Sequence, residues 1–97
     1  MIIGVLGGGQ LGRMLGLAGI PMGLDFRFLD PVADSPAKAV GDLVVGRFED
    51  ERLVREFASS VDLMTYEFEN VPARTVEWAL ERCPVYPGVH ALRTAQD

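Results

Sequence analysis

The chain has 97 residues, the length of one ordinary domain. Hydrophobic residues make up 48% and charged residues 24%, a composition that argues against disorder and low complexity. The net charge of −5, with no basic block, argues against a nucleic-acid surface and against electrostatic attachment to anionic lipid. No apolar run reaches the ~18 residues of a membrane span, and the start lacks a basic segment leading to a cleavage site. Cys83 is the single cysteine, so neither a disulfide framework nor a thiolate metal cluster is expected, and a reducing, cytoplasmic setting fits.

Met1 to Leu6 is an apolar run rich in Ile and Val, the pattern of a parallel strand buried on both faces. Gly7-Gly8-Gly9 breaks it. From Gln10 the period changes: Leu11, Met14, Leu15 and Ala18 form one helical stripe, and Gly19 and Pro21 end that helix. Met14 and Met22 read as packing residues. Asp25 to Leu29 predicts a second strand, stopped by Asp30-Pro31. Ser35-Pro36 predicts a short helix over 36–40, because a capping residue precedes a proline at a first helical position.

Asp42 to Gly46 predicts a third strand with its own stop. Asp50 can cap a helix over 51–60 with Leu53, Val54 and Phe57 inward. Asp62 to Tyr66 predicts a fourth strand. Pro72 opens a helix to Arg82, with Val76, Ala79, Leu80 and Cys83 as its buried stripe; Trp78 falls off that stripe. Pro84 to Pro87 predicts a short fifth strand, and Val89 to Thr94 a last helical turn. Strand and helix alternate throughout, which predicts an α/β, three-layer Rossmann-like domain over 1–97 with a mainly parallel sheet of four to five strands. The first strand should lie centrally, with ligands at the carboxyl ends of the strands.

Gly7, Gly9 and Gly12 satisfy G-x-G-x-x-G between a strand and a helix. One glycine permits the tight turn, the next lets a ligand approach the backbone, and the third lets helix and strand pack closely. The helix amides then suit an anion, usually a phosphate. Asp30, eighteen residues after Gly12, stands where dinucleotide-binding domains place a ribose-binding carboxylate; beside Pro31 it can also be a plain turn former. This much fits the NAD-binding module of an oxidoreductase. Gln10, however, puts a polar amide in the turn, where it can itself contact a ligand.

Tyr66-Glu67-Phe68-Glu69-Asn70-Val71-Pro72 lies at the carboxyl end of the fourth strand. Alternation sends Glu67 and Glu69 to one side, where two carboxylates need a cation, donor or ligand between them to ionise together. Either both are solvated loop acids, with Asn70 helping to cap the next helix, or Glu67 accepts hydrogen bonds from hydroxyl or amine groups of a ligand held against the Gln10 turn.

The two segments GGGQLGRM (7–14) and YEFENVP (66–72), in this order, resemble the amino-terminal, pre-ATP-grasp domain of the N5-carboxyaminoimidazole ribonucleotide synthetase family, within the ATP-grasp superfamily. SPAKAVGDLVVG and the closing run from Pro87-Gly88 through Ala91-Leu92 to Gln96-Asp97 extend the resemblance over nearly the whole chain. It implies an ATP-dependent ligase of de novo purine synthesis: ATP and bicarbonate give carboxyphosphate, which carboxylates the amine of 5-aminoimidazole ribonucleotide. It further implies that Gln10 and Leu11 contact the ribonucleotide and that Glu67 holds its ribose or amine. Gly8, Gly9, Gly12, Arg13, Glu69 and Asn70 would support them. A formate-activating relative carries Glu where this chain has Gln10, which favours the imidazole substrate.

Members of that family run to several hundred residues, so the ATP-grasp and carboxy-terminal domains, with the sites for ATP and Mg, are expected outside these 97 residues. The chain alone is expected to be inactive and to hold no catalytic or metal site. Its expected partners are the ribonucleotide, the ATP-grasp domain of the same polypeptide and, in the full-length protein, a second subunit in a homodimer. Apolar side chains near Pro87 to Leu92 are expected to lie uncovered. His90 has no second ligand in view, Cys83 reads as an apolar filler, and Arg13 can face a phosphate or an acid. Besides the ligase domain, two readings stay open: the NAD module, which needs Asp30 on a ribose, and a non-catalytic interaction domain.

Overall fold

The computed structural model describes residues 1–66 and 71–96. Strands β1 (Ile2–Leu6), β2 (Asp25–Asp30), β3 (Asp42–Val45) and β4 (Leu63–Tyr66) form one all-parallel sheet in the order β3-β2-β1-β4. β1 is thus flanked on both sides, as its continuous apolar run requires. Helices α1 (Gln10–Gly19), α2 (Glu51–Ser59), α3 (Ala73–Leu80) and α4 (Gly88–Gln96) cover the faces, and single 3-10 turns occupy Ile20–Met22 and Pro36–Ala39. The predicted fifth strand reduces to one parallel bridge, Val85 with Met64: the Met64 amide donates to the Pro84 carbonyl at 2.9 Å and the Tyr86 amide to the Met64 carbonyl at 2.9 Å. Pro84 lacks the amide that would carry the ladder toward the start of β4.

The sheet separates two apolar clusters. Leu6, Leu29 and Met64 point toward Val54, Phe57 and Ala58 of α2 and Ala79 of α3, with Cys83 buried among them. Ile3, Val5, Phe26, Phe28 and Leu63 point the other way, toward Ala37 and, on α4, Ala91. Asp62 sets the β1–β4 register: its carboxylate accepts the Ile2 amide at 2.7 Å while its own amide donates to the Ile2 carbonyl at 2.8 Å. α2 starts as its sequence predicts, with the Asp50 carboxylate accepting the Leu53 amide at 3.2 Å. Arg55 ties α2 to the end of α3 through Glu81 at 2.8 Å and also reaches Glu51 at 3.1 Å; these hydrogen bonds, Glu81 first, raise its pKa further.

Two helix faces differ from the expected stripes. On α1 the buried residues are Gly12, Gly16 and Gly19, with Leu15 half-buried, while Leu11, Met14, Leu17 and Ala18 are exposed. Met14 is 60% exposed and Met22 37%, so neither is a packing residue. The reason is proximity: a Cβ on Gly16 would stand 2.6 Å from the Val40 side chain, so bare backbone must face the sheet and the large side chains turn outward. On α3 the buried residues are Thr75 and Ala79, and Leu80 is exposed. Helix α3 stops at Leu80, two residues before the expected end. Of the residues expected to lie uncovered near the chain's end, Pro87 is exposed, whereas Ala91 is fully buried and Leu92 packs near Gly19. Among the described residues, α1 and the 3-10 turn after it carry a run of exposed large apolar side chains, Leu11, Met14, Leu17 and Ile20.

Candidate functional site at the carboxyl ends of β1 and β4

The register pairs Leu6 with Tyr66, so β1 and β4 end side by side. β1 then enters the glycine turn. Gly7 has φ of 122°, a conformation that side chains rarely adopt, and its amide donates to the Leu29 carbonyl at 2.8 Å. Gly8 is buried, and both its backbone groups are engaged: its amide donates to Asp30 Oδ2 at 2.8 Å and its carbonyl accepts from the Ala37 amide at 2.8 Å. Gly9 caps α1 without a side chain, and the first bond of the helix runs from the Arg13 amide to the Gly9 carbonyl at 3.0 Å. The amides of Gln10, Leu11 and Gly12 therefore precede the helical ladder and emerge at its positive end.

Gln10 and Leu11 are exposed there, and Arg13 is half-buried with no ion-pair partner among the described residues. Gly12 has the predicted packing role: a Cβ would stand 2.7 Å from the Gly7 carbonyl oxygen and 3.4 Å from the Phe28 ring. Glu67, Glu69 and Asn70 lie outside the described residues, which reach the fourth strand's end at Tyr66. His90 is exposed, Cys83 is buried as a filler, and burial pushes its thiol up to about 11. Trp78 is half-buried against the α2–α3 cluster, with the Arg74 guanidinium 6.0 Å from its ring centroid. No group of three or more His, Cys, Asp or Glu side chains that could hold a metal ion occurs among the described residues.

The ribose reading of Asp30 finds no support; the residue is a turn former, the other reading that its sequence position left open. It ends β2 as read, yet its carboxylate turns toward main chain: Oδ2 accepts the Gly8 amide, and Oδ1 accepts the Val32 amide at 2.8 Å. A carboxylate at the end of β2 was the available signal; the direction it faces is a matter of two loops meeting in space. Beside it, Asp30, Pro31, Val32, Arg47, Phe48 and Glu49 line an open recess of about 520 Å³ at the carboxyl ends of β2 and β3. A second recess of similar size, about 540 Å³, sits at the opposite, amino ends of the strands, away from the glycine turn. Ligands of open parallel sheets gather at the carboxyl ends, so the turn is the better candidate.

Residues 1–96 match the family model of the ribonucleotide synthetase pre-ATP-grasp domain. The N5-carboxyaminoimidazole ribonucleotide synthase of Pseudomonas aeruginosa is 50% identical over 97 residues, all of this chain and 27% of that protein. A crystal structure of the Thermus thermophilus synthetase shares 57% identity with a TM-score of 0.83, over 98% of this chain and 26% of that one. The Aspergillus clavatus synthase, determined with ADP and 5-aminoimidazole ribonucleotide, shares 35% identity with a TM-score of 0.77, over 96% of this chain and 25% of that one. The chain thus spans about a quarter of the length of these relatives. The dinucleotide-binding alternative finds no support here: these relatives are synthetases, and Asp30 spends both oxygens on backbone amides.

Proposed function

The chain belongs to the ribonucleotide synthetase pre-ATP-grasp family, and from that membership we propose that it is the amino-terminal, substrate-binding domain of an ATP-dependent ligase. The reaction is carboxylation of 5-aminoimidazole ribonucleotide with bicarbonate to N5-carboxyaminoimidazole ribonucleotide, in de novo purine synthesis. The observation that carries the reading is the A. clavatus synthase, whose structure was determined with that ribonucleotide and which matches this chain over 96% of its length.

Within this reading, the exposed start of α1 is the substrate-facing edge. The amides and side chains at Gln10 and Leu11 meet the ribonucleotide, and Glu67, one peptide bond past Tyr66, accepts hydrogen bonds from its ribose hydroxyls or its amine. Gly8, Gly9 and Gly12 shape the turn; Arg13, Glu69 and Asn70 support it. A carboxylate suits this task because it is acceptor-only when ionised and can take two hydroxyl or amine donors at once. ATP and magnesium bind elsewhere in the full-length enzyme, outside these 97 residues, which form a single domain. The enzyme works in the cytoplasm as a homodimer; the exposed Met14, Leu17 and Ile20 are the kind of apolar surface that another domain or a second subunit covers.

The test is an amide NMR titration of the chain with 5-aminoimidazole ribonucleotide, run in parallel with NAD. Saturable shifts over 8–12 and at Tyr66 with the ribonucleotide alone are expected. Glu67→Gln should weaken that binding about tenfold, the effect of losing a charge-assisted acceptor. Shifts at the turn with NAD alone, or full-strength binding by Glu67→Gln, would sink the substrate or the Glu67 assignment respectively.

A further inference from the structure

Two turns meet at one carboxylate. Asp30 Oδ2 takes the amide of Gly8, in the turn after β1, and Oδ1 takes the amide of Val32, in the turn after β2, each at 2.8 Å. The same peptide region is held from its other side, where the Ala37 amide donates to the Gly8 carbonyl at 2.8 Å. Sterics close the frame: a Cβ on Gly8 would stand 3.0 Å from the Ser35 Cβ and 3.2 Å from the Asp30 Cβ, and the Ser35 hydroxyl donates to the Val32 carbonyl. Gly8 therefore has its donor, its acceptor and its Cα face all engaged. The backbone leaves it in one direction, through Gly9 as the cap of α1, and so the amides of 10–12 emerge already aimed.

From this geometry we infer that Asp30 is a positioning residue of the nucleotide site: its carboxylate locks the glycine turn in the shape that presents the first amides of α1 to the ligand. The inference rests on the ribonucleotide reading above and adds to it a residue that never touches the substrate. Glycine is the least restrained residue in an unfolded or loose segment, and three in succession would have to be ordered by the ligand if nothing else ordered them. Charge-assisted hydrogen bonds to both turns do that ordering during folding, which leaves more of the ligand's contact energy as affinity. The arrangement also explains why this acidic residue at the end of β2 does not serve a ribose: both of its oxygens are taken by main-chain amides.

The experiment uses Asp30→Ala and Asp30→Asn in this chain, with amide hydrogen exchange and ribonucleotide titration as readouts. Asn offers one carbonyl oxygen and so keeps one of the two acceptors; Ala keeps neither. In Asp30→Ala, exchange at the hydrogen-bonded amides of Gly8, Arg13 and Ala37 should quicken and the affinity fall, each about tenfold or more, with Asp30→Asn between Ala and the unsubstituted chain. Amides of the central strand β1, at Ile3 and Val5, should keep their protection, which separates loss of positioning from loss of folding; if Ala unfolds, the Asn variant carries the test. Unchanged exchange at Gly8, Arg13 and Ala37, or unchanged affinity in both variants, overturns the role of Asp30 alone. Absence of saturable binding by the unsubstituted chain overturns the ribonucleotide reading itself, and with it this inference.

Discussion

Gly19 at the end of α1 and Phe26 in β2 meet without a side chain between them: a Cβ on Gly19 would stand 2.4 Å from Cζ of the Phe26 ring and 2.7 Å from its Cε1. Phe26 is buried and stacks with Phe28, their ring centroids 6.1 Å apart, which holds the ring from the far side. Helix α1 thus approaches the sheet through glycines, and this approach is what brings its amino end and the glycine turn close over the edge of β1.

Gly19→Ala should therefore destabilise the fold by about 2 kcal/mol, because forced overpacking outweighs the ~1 kcal/mol that alanine gains over glycine inside a helix. Gly46→Ala is the informative contrast. Its Cβ would come closer still, 2.0 Å from Leu53 Cδ2, but that atom is the tip of a half-buried side chain and the next contacts stand at 3.5 Å or beyond. A rotation of Leu53 relieves the clash, so the cost should stay below about 1 kcal/mol. Urea unfolding of both variants checks the ordering; an equal loss would mean that α1 can slide on the sheet.

Two buried threonines should respond to valine in opposite directions. Thr75 on α3 donates its hydroxyl to the Phe48 carbonyl, joining α3 to the loop before α2. Thr75→Val removes that donor and should cost about 1–3 kcal/mol, the penalty for a buried acceptor left without its partner. Thr65 in β4 is 2% exposed, and its hydroxyl has no hydrogen-bond partner among the described residues. Thr65→Val keeps the shape and removes the unmatched polar atom, so a gain of about 1 kcal/mol is expected. The unfolding midpoints of the two variants should move apart from that of the parent; a loss in Thr65→Val would reveal a partner for the hydroxyl.

Cys83 gives a pH prediction. Burial disfavours its thiolate and moves the thiol pKa from the ordinary 9.0 up to about 11. The native state therefore binds the proton more tightly than the unfolded chain does. The associated stability is fully present below the unfolded value and is lost as pH rises through the window from about 9 to about 11. Alkylation by iodoacetamide should be slow in the folded chain at pH 8 and become fast on unfolding in urea. Cys83→Ser should remove the Cys83 part of the alkaline loss of stability. Rapid alkylation of the native chain at pH 8 would show that the thiol is open to solvent.

Local chemistry, written in neighbouring residues, was enough for much of this protein. The alternation of apolar runs with helical periods predicts the four strands and the parallel three-layer order, because burial on both faces demands continuous Ile and Val as in β1. Asp50 caps α2 because an N-cap needs only a short acceptor three residues ahead of an amide. Gly7 and Gly12 are legible for the same reason: a left-handed turn and a close helix–strand contact both exclude side chains. What the local pattern could not decide is which way a face or a side chain turns. Apolar residues on α1 repeat with a helical period whether they point in or out, and only the distance to Val40 and Phe26 assigns the inward face to glycine. The strand at 84–87 shrinks to a bridge, with Pro84 withholding the amide that would extend the ladder toward the start of β4. Asp30 faces Gly8 across 22 residues of sequence, and whether a carboxylate reaches a ligand or a backbone amide depends on two loops that approach only when the sheet has formed.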